Sequence, residues 1–536
     1  MYKTCKKFVV LFVLFGVSFF VQTDVSAATA MVDTSEVHQT MEGFGASVAW
    51  EVWQLYSHSE KGEIYNYLFK ELGMDIIRLR SVYDRGEDYI FGLYEEIVDS
   101  FYSKSENDPK ILISSWTPTT DLKSNDNLVG GTLDTTETGE YDYGGFAQYW
   151  MDVLDEFESV GIVPDYISIQ NEPDWGESHA TCRFNPTENS EYAGYDQALD
   201  SVYQRLQGLS SSPKILAPEV LGIGYNNFQN YASEFNHDHA DGYAYHLYHG
   251  GEGNVDPDAF NSNLSAIAGS YTDKPIFQTE YDIGDWFNTG WLIHNCLVRG
   301  NVSGYLYWAS VWNPAGKPLI TLDGSSYTIN REYWAFRQYA KAIHYGWKRV
   351  GASVDGDSVR ISAYIAPENN DLSIVVINIG HSDEDLDLDI PGFDISGANI
   401  LRTSEEEKCD YIGDYNGSTI DLPARSITTI STLYIDDVSG IEEENYDSPA
   451  VLSLSQNCPS PFSTSTTIEY SIADEGFVNL SIYDVTGREL QSLVNEIKPA
   501  GTHTVDFNSK GLPQGVYIYR LEMGGNSVQN KMLLLK

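Results

Sequence analysis

Asp165-Tyr166-Ile167-Ser168-Ile169-Gln170-Asn171-Glu172-Pro173 carries a short apolar run directly into an amide and a carboxylate. Residues 165–170 have the β-branched and aromatic content of a buried strand, so Glu172 falls just past a strand's C-terminal end. Similar runs recur at residues 42–47, 75–80, 110–116, 214–218, 242–247, 275–280 and 304–309, eight in all with the first. Amphipathic stretches lie between them. Residues 143–160 set Phe146, Trp150, Val153, Leu154 and Phe157 at helical spacing with acids between, and 63–72, 191–206 and 332–343 read alike. Strand and helix alternating eight times predict an α/β fold, a (β/α)8 TIM barrel over residues 41–346, in preference to an open doubly wound sheet.

The flanks have different grammar. Residues 1–28 begin with Lys3, Lys6 and Lys7, continue through an apolar run at 8–21 and end in Val25-Ser26-Ala27-Ala28. That is the charge, core and small-residue order of a signal peptide, and no later stretch approaches the roughly 20 apolar residues of a membrane span. Residues 347–434 hold strands without intervening helices and predict a side β-sandwich. Residues 435–450 are rich in Asp, Glu, Ser and Gly and read as an acidic linker. Residues 451–536 form a second all-β module, with strands at 467–472, 478–483, 502–507 and 516–521 and turns at Thr486-Gly487 and Gly524-Gly525.

Composition narrows the partners. Among 536 residues, 78 acidic against 32 basic side chains give a net charge of −46, which repels nucleic acid and anionic membranes. Past the leader, Cys182, Cys296, Cys409 and Cys458 are widely spaced and lack the pairing of a metal site, so neither a structural metal nor a disulfide framework is expected. A monomer without cofactor is expected.

In a (β/α)8 barrel the C-terminal strand ends converge on the active site, which gives weight to Glu172 and to Glu280, the last residue of Pro275-Ile276-Phe277-Gln278-Thr279-Glu280. Paired carboxylates on the fourth and seventh barrel strands suit glycosidic bond cleavage, where one carboxyl protonates the leaving oxygen and the other attacks the anomeric carbon. Arg78, on the second strand, is the candidate cation to keep one of them ionised. Trp50, Trp53, Trp116, Trp175, Trp286, Trp308 and Trp312 lie at or beyond strand ends, and Trp116 and Trp308 are the expected sugar platforms. His246 and Tyr248, in Tyr245-His246-Leu247-Tyr248-His249, are expected to hydrogen-bond around the sugar or the nucleophile. Nucleophile elbows and phosphate loops are lacking.

Met41-Glu42-Gly43-Phe44-Gly45-Ala46-Ser47, Ile76-Ile77-Arg78-Leu79-Arg80, Ser115-Trp116-Thr117-Pro118, Gln170-Asn171-Glu172-Pro173-Asp174, His246-Leu247-Tyr248, Thr279-Glu280 and Tyr307-Trp308 together resemble the glycoside hydrolase family 30 enzymes. The resemblance spans residues 37–433. It implies a barrel whose side β-domain captures the N-terminal strand at 29–40, Glu172 as acid/base, Glu280 as nucleophile, Asn171 on the sugar's 2-hydroxyl and Arg78 orienting an ionised Glu280. It implies a secreted retaining endo-β-glycanase acting on β-1,4-xylan, with a β-1,6-glucanase or an exo-acting, xylo-oligosaccharide-releasing enzyme as alternatives. From another class, a polysaccharide-binding surface protein without turnover keeps the same barrel. Members that require glucuronate branches resemble one another in an Arg after the last barrel strand; here Lys317 is the only cation in 309–318, which favours tolerance of plain xylan. The C-terminal module resembles the type IX secretion sorting domain through Leu454-Ser455-Gln456-Asn457-Cys458-Pro459, Ile482-Tyr483-Asp484 and Gly515-Val516-Tyr517, which implies export by that machinery.

Overall fold

In the computed structural model the chain enters through a long strand, β1 (Ala28–Thr40), and then lays down eight parallel strands that close into a barrel. These are β2 (Gly43–Ser47), β3 (Ile76–Arg80), β4 (Lys110–Ser114), β5 (Tyr166–Ser168), β6 (Lys214–Val220), β7 (Gly242–His246), β8 (Ile276–Glu280) and β9 (Val302–Tyr307). The structure describes residues 27–83, 85–87, 89–176, 179–249, 256–368, 370–435, 452–454, 457, 462–472, 476–484, 488–499, 501–523 and 526–534. The leader at 1–26, most of the expected linker, Cys458 and the turns at 486–487 and 524–525 lie outside them.

Barrel strands covered on both faces must be apolar almost throughout, and β2, β3, β7, β8 and β9 are buried at every position. Ile76, Leu112, Tyr166, Leu216, Ala244, Phe277 and Leu306 form a separate apolar cluster inside the barrel. Gly304 makes room for it: a Cβ there would lie 2.4 Å from the Phe277 ring. Side chains two residues on point the same way, so Arg78, Ser114 and His246 form the next layer above Ile76, Leu112 and Ala244. The helices are α1 (Val52–Ser57), α2 (Lys61–Tyr65), α3 (Tyr89–Lys104), α4 (Tyr143–Ser159), α5 (Tyr195–Leu206), α6 (Asn227–Ala232), α7 (Asn261–Ser270), α8 (Trp286–Val298) and α9 (Arg331–Ala340). In α4 the Asp142 carboxylate accepts from Gly145 N at 2.7 Å, capping a helix whose stripe from Phe146 to Phe157 is buried. The stretch at 191–206 becomes helical only at Tyr195, because Asn189 Oδ1 accepts from the amides of Glu191 and Tyr192 and holds them in a turn.

Beyond the barrel a small sheet of β10 (Val311–Trp312), β11 (Ile320–Asp323) and β12 (Ser326–Ile329) follows β9. The side domain comprises β13 (Lys348–Val354), β14 (Val359–Ile365), β15 (Leu372–Asn378), β16 (Glu384–Asp389), β17 (Asn399–Thr403), β18 (Lys408–Asp414), β19 (Ile420–Leu422) and β20 (Ser426–Ser431). The expected sandwich is one continuous nine-stranded sheet in the order β18-β17-β20-β15-β14-β13-β1-β16-β19. The join is β1, which pairs antiparallel with β13 and parallel with β16, Ala28 opposite Leu386. Leu386 and Leu422 share a core with Ile374 and Ile430, so the sheet curls back on itself. Ile435, expected to open the linker, is buried and donates its amide to Asn399 Oδ1, so the side domain includes it. The sheet is fastened to α9: Gln338 Nε2 donates to Thr403 Oγ1 at 2.9 Å, and Arg337 Nη1 to Cys409 Sγ at 3.2 Å.

The C-terminal module has two sheets. One contains β21 (Leu452–Leu454), β22 (Ser465–Ile472) and β25 (Gly501–Asn508); the other contains β23 (Gly476–Asp484), β24 (Glu489–Lys498), β26 (Gly515–Met523) and β27 (Asn526–Leu534). Ile468, Tyr470, Leu480, Ile482, Phe507 and Tyr519 share its core.

Candidate active site

Arg78 organises the C-terminal end of the barrel. It is completely buried, and its planar fork is bonded on each edge: Nε donates to Ser114 Oγ at 3.0 Å, Nη1 to Glu280 Oε2 at 2.6 Å and Nη2 to Asn171 Oδ1 at 2.5 Å. Nη2 also lies 3.2 Å from Glu219 Oε1. The guanidinium carbon sits 4.6 Å from the centroid of the Trp116 ring and 6.0 Å from that of Trp308. Burial works against the charge, but the carboxylates of Glu219 and Glu280 outweigh it and raise the Arg78 pKa further.

Glu280 ends β8. Besides Arg78 it accepts from Tyr248 OH at 3.1 Å on Oε1. Glu172 follows β5 in a left-handed backbone conformation, φ 47°, which costs a residue with a side chain some strain. Its amide donates to Glu219 O at 3.0 Å, and Oε1 lies 2.9 Å from His246 Nδ1. A carboxyl oxygen of Glu172, one of Glu280 and a nitrogen of His246 all lie within 4.8 Å of one another. His246 is buried and held far below the usual imidazole pKa by burial and by Arg78, so it is neutral. Among the described residues its Nε2 has no hydrogen-bond partner, and it stands 3.9 Å from Glu280 Oε2.

The two carboxyls separate in acidity for visible reasons. Burial, then the charge of Asp174, push Glu172 up to about 8, with Arg78 opposing. Burial pushes Glu280 up to about 7, where Arg78 pulls down and Glu172 pushes up. Arg78 divides its charge between Glu280 and Glu219, and burial holds Glu280 above the ordinary carboxylate range though below Glu172.

Glu172, Glu280, Asn171, Arg78, His246, Tyr248, Trp116 and Trp308 are thus gathered in one place. Trp116 packs 5.9 Å from Trp308, which continues to Trp312 at 5.8 Å, while Trp50 meets Trp116 edge-on at 6.0 Å. Trp286 packs under Arg331 and Trp53 is half exposed on α1, away from this cluster. Glu219 joins the site without being among the residues expected from the sequence. It is fully buried, at φ 58°, and accepts from Ser114 Oγ at 3.2 Å. Like Glu172 it is a carboxylate at the C-terminal end of a barrel strand, β6, and it lies one residue beyond the apolar run at 214–218. Glu172, His246 and Glu280 are also the set among the described residues whose ligand atoms converge closely enough for a metal ion. The Arg78 guanidinium already bonded to Glu280 opposes a second cation there.

Comparison with known proteins finds the same architecture elsewhere. The chain is 22% identical over 435 residues to the glucuronoxylanase XynC of Bacillus subtilis (strain 168), covering 76% of this chain and 92% of that protein. It superposes on a glycoside hydrolase family 30 subfamily 8 xylanase from Clostridium acetobutylicum with TM-score 0.59 at 24% identity, covering 75% of this chain and 99% of that one. The chain has the family 30 glycoside hydrolase fold. Within that fold it is also similar to an endo-β-1,6-glucanase, with TM-score 0.58 at 16% identity over 75% of this chain and 94% of the other. Outside the family 30 region, residues 458–535 match the secretion system C-terminal sorting domain, which makes this a secreted or cell-surface protein that meets a secretion machinery.

Proposed function

We propose that the protein is a retaining endo-β-glycanase that cleaves β-1,4-xylan as a monomer, with Glu172 as general acid/base and Glu280 as nucleophile. The approach of the two carboxyls, with oxygens within 4.8 Å, carries this reading. Retaining enzymes hold their carboxyls roughly 5–5.5 Å apart, whereas inverting ones leave about 6.5–9.5 Å for a water.

Protonation follows the donors. Glu280 accepts hydrogen bonds from Arg78 and Tyr248, which stabilise a carboxylate. Glu172 faces neutral His246, whose Nδ1 accepts the acid's proton in a hydrogen bond while the ring hydrogen sits on Nε2 toward Glu280. In the first step Glu280 attacks the anomeric carbon as Glu172 gives its proton to the departing glycosidic oxygen, leaving a glycosyl ester on Glu280. In the second, Glu172 takes a proton from water as the water oxygen attacks the same carbon, and Glu280 leaves as a carboxylate. Asn171 is fixed through Oδ1 by Arg78, and its buried Nδ2 has no partner among the described residues, which suits it to donate to a sugar hydroxyl beside the reacting carbon. Trp308, only partly buried, offers an aromatic face to a sugar ring, whereas Trp116, expected as a second platform, is buried beneath Arg78 and supports the site from below.

The relatives named as xylanases favour xylan, and the similar endo-β-1,6-glucanase makes β-1,6-glucan the competing substrate. Reducing-sugar release from glucuronoxylan, unbranched xylan and β-1,6-glucan tests both. Activity on the two xylans, abolished by Glu172→Gln or Glu280→Gln, is expected. Release from glucan alone would move the substrate, and binding of a polymer without release would replace the enzyme by a polysaccharide-binding protein.

A further inference from the structure

The loops after β4 and β5 enclose a cavity of about 340 Å³, lined by Gly131, Asp174, Trp175, Gly176, Arg183 and Tyr192. Its wall is continuous with the catalytic turn, since Trp175 N donates to Glu172 O at 2.9 Å. Arg183 lies over Tyr192, 4.5 Å from the ring centroid, and its Nη1 donates to the Tyr192 hydroxyl at 3.5 Å. Its Nε is buried without a partner, and among the described residues no carboxylate forms an ion pair with it. In a chain with 78 acidic against 32 basic residues, a half-buried guanidinium with no acid paired to it among the described residues is unusual. Asp174 does not fill the role: Oδ1 accepts from Leu221 N at 2.9 Å and Oδ2 from Asn227 Nδ2.

The cavity is braced. Buried Lys123 donates to Thr117 Oγ1 at 3.0 Å and to Thr181 O, Gly130 N donates to Thr181 Oγ1 at 2.9 Å, and Arg183 N donates to Gly131 O at 2.9 Å. The two loops therefore hold Arg183 and Trp175 in place before any ligand arrives, which limits the ordering cost of binding.

We infer that this cavity is a leaving-group subsite for a sugar unit that bears a carboxylate. The guanidinium fork of Arg183 binds the carboxylate and Trp175 takes the ring. A neutral hydroxyl needs no full charge, whereas a carboxylate matches the fork with two parallel hydrogen bonds. The leaving-group side follows from Glu172, which protonates the departing oxygen and whose own turn forms the cavity wall. This assignment rests on the glycanase reading, and it places acid recognition on a different loop from Lys317.

The test is calorimetric titration of the full chain carrying Glu280→Gln with a xylo-oligosaccharide bearing one glucuronate, and with the same compound after reduction of its carboxyl to an alcohol. The acidic ligand is expected to bind at least about tenfold tighter than the reduced one. Adding Arg183→Met should collapse that ratio to near one, and Arg183→Lys, which keeps charge without the fork, should leave part of it. Equal affinity for the two ligands, no binding of either, or a ratio untouched by Arg183→Met overturns the proposal. Because the readout needs no turnover, a carboxylate-dependent ratio seen alongside a wild type that releases sugar from no polymer would support the acidic-sugar site and sink the glycanase reading alone.

Discussion

Two adjacent layers of the same barrel interior obey opposite rules. The lower one, Ile76, Leu112, Tyr166, Leu216, Ala244, Phe277 and Leu306, is an apolar plug. Above it, toward the C-terminal strand ends, Arg78, Ser114, Asn171, Glu172, Glu219, His246 and Glu280 are also buried, yet every one is polar. The lower layer stabilises the barrel and excludes water. The upper layer uses that dryness, because removal of water lifts Glu172 and Glu280 into the neutral range and makes each hydrogen bond to Arg78 stronger. Function therefore sits where stability is spent, and the contrast can be tested from both sides.

The largest effect falls on turnover. Glu280→Gln removes the nucleophile and is expected to lower kcat by about 10⁴-fold or more. Glu172→Gln, losing proton transfer, should cost about 10²–10⁴-fold. Both are read by initial rates of reducing-sugar release, and a variant retaining a tenth of wild-type rate would break the assignment.

Stability follows. Phe277→Ala empties the plug and should destabilise by about 3–5 kcal/mol. Arg78→Met should cost a similar amount, about 3–5 kcal/mol, because it leaves Glu219 and Glu280 buried without their cation. Denaturant unfolding measures both. The origin of the second loss is checked at low pH, where protonated carboxyls no longer need Arg78 and the Arg78→Met penalty should shrink while that of Phe277→Ala does not.

The next effect has the opposite sign. Glu172 has a folded pKa of about 8, above its unfolded value, so the stability it lends is complete at low pH and is lost as pH rises toward 8. Glu172→Gln should therefore raise Tm at pH 8, by about 2–4 °C for each kcal/mol recovered, and change it little at pH 4. A lower Tm at pH 8 would show that the upper layer stabilises the fold.

The smallest effect concerns Glu219. Its charge contributes to the elevation of both carboxyls, so Glu219→Gln should move the acidic limb of the pH–rate profile to lower pH by roughly half to one unit. An unmoved limb with reduced rate throughout would give Glu219 a purely structural role.

The lower layer was easy to read from sequence and the upper one only in part. Apolar runs such as 75–80 and 275–280 announce strands because both faces are covered, and their ends point to Glu172 and Glu280. Glu219 uses the same address, but it follows a proline in a chain crowded with acids, and a single carboxylate there carries no signal until Arg78 is seen beside it. The sharing of Arg78 between two carboxylates is a matter of tertiary distance that no spacing encodes. The Arg183 cavity was illegible for the same reason, being assembled by two loops whose bracing contact, Gly130 to Thr181, joins residues 51 apart and appears only in the fold. In the side domain, strand content could be read, but the continuity of the sheet through β1 depended on a parallel pairing with β16 that joins chain segments more than 350 residues apart.

The most direct test of the double-displacement account is the anomeric configuration of the first product, followed by proton NMR during the opening minutes of xylan hydrolysis. The account predicts that the β-anomer appears first and the α-anomer only later, by mutarotation. An α-anomer formed first would mean that water, not Glu280, attacks the sugar, and would contradict it.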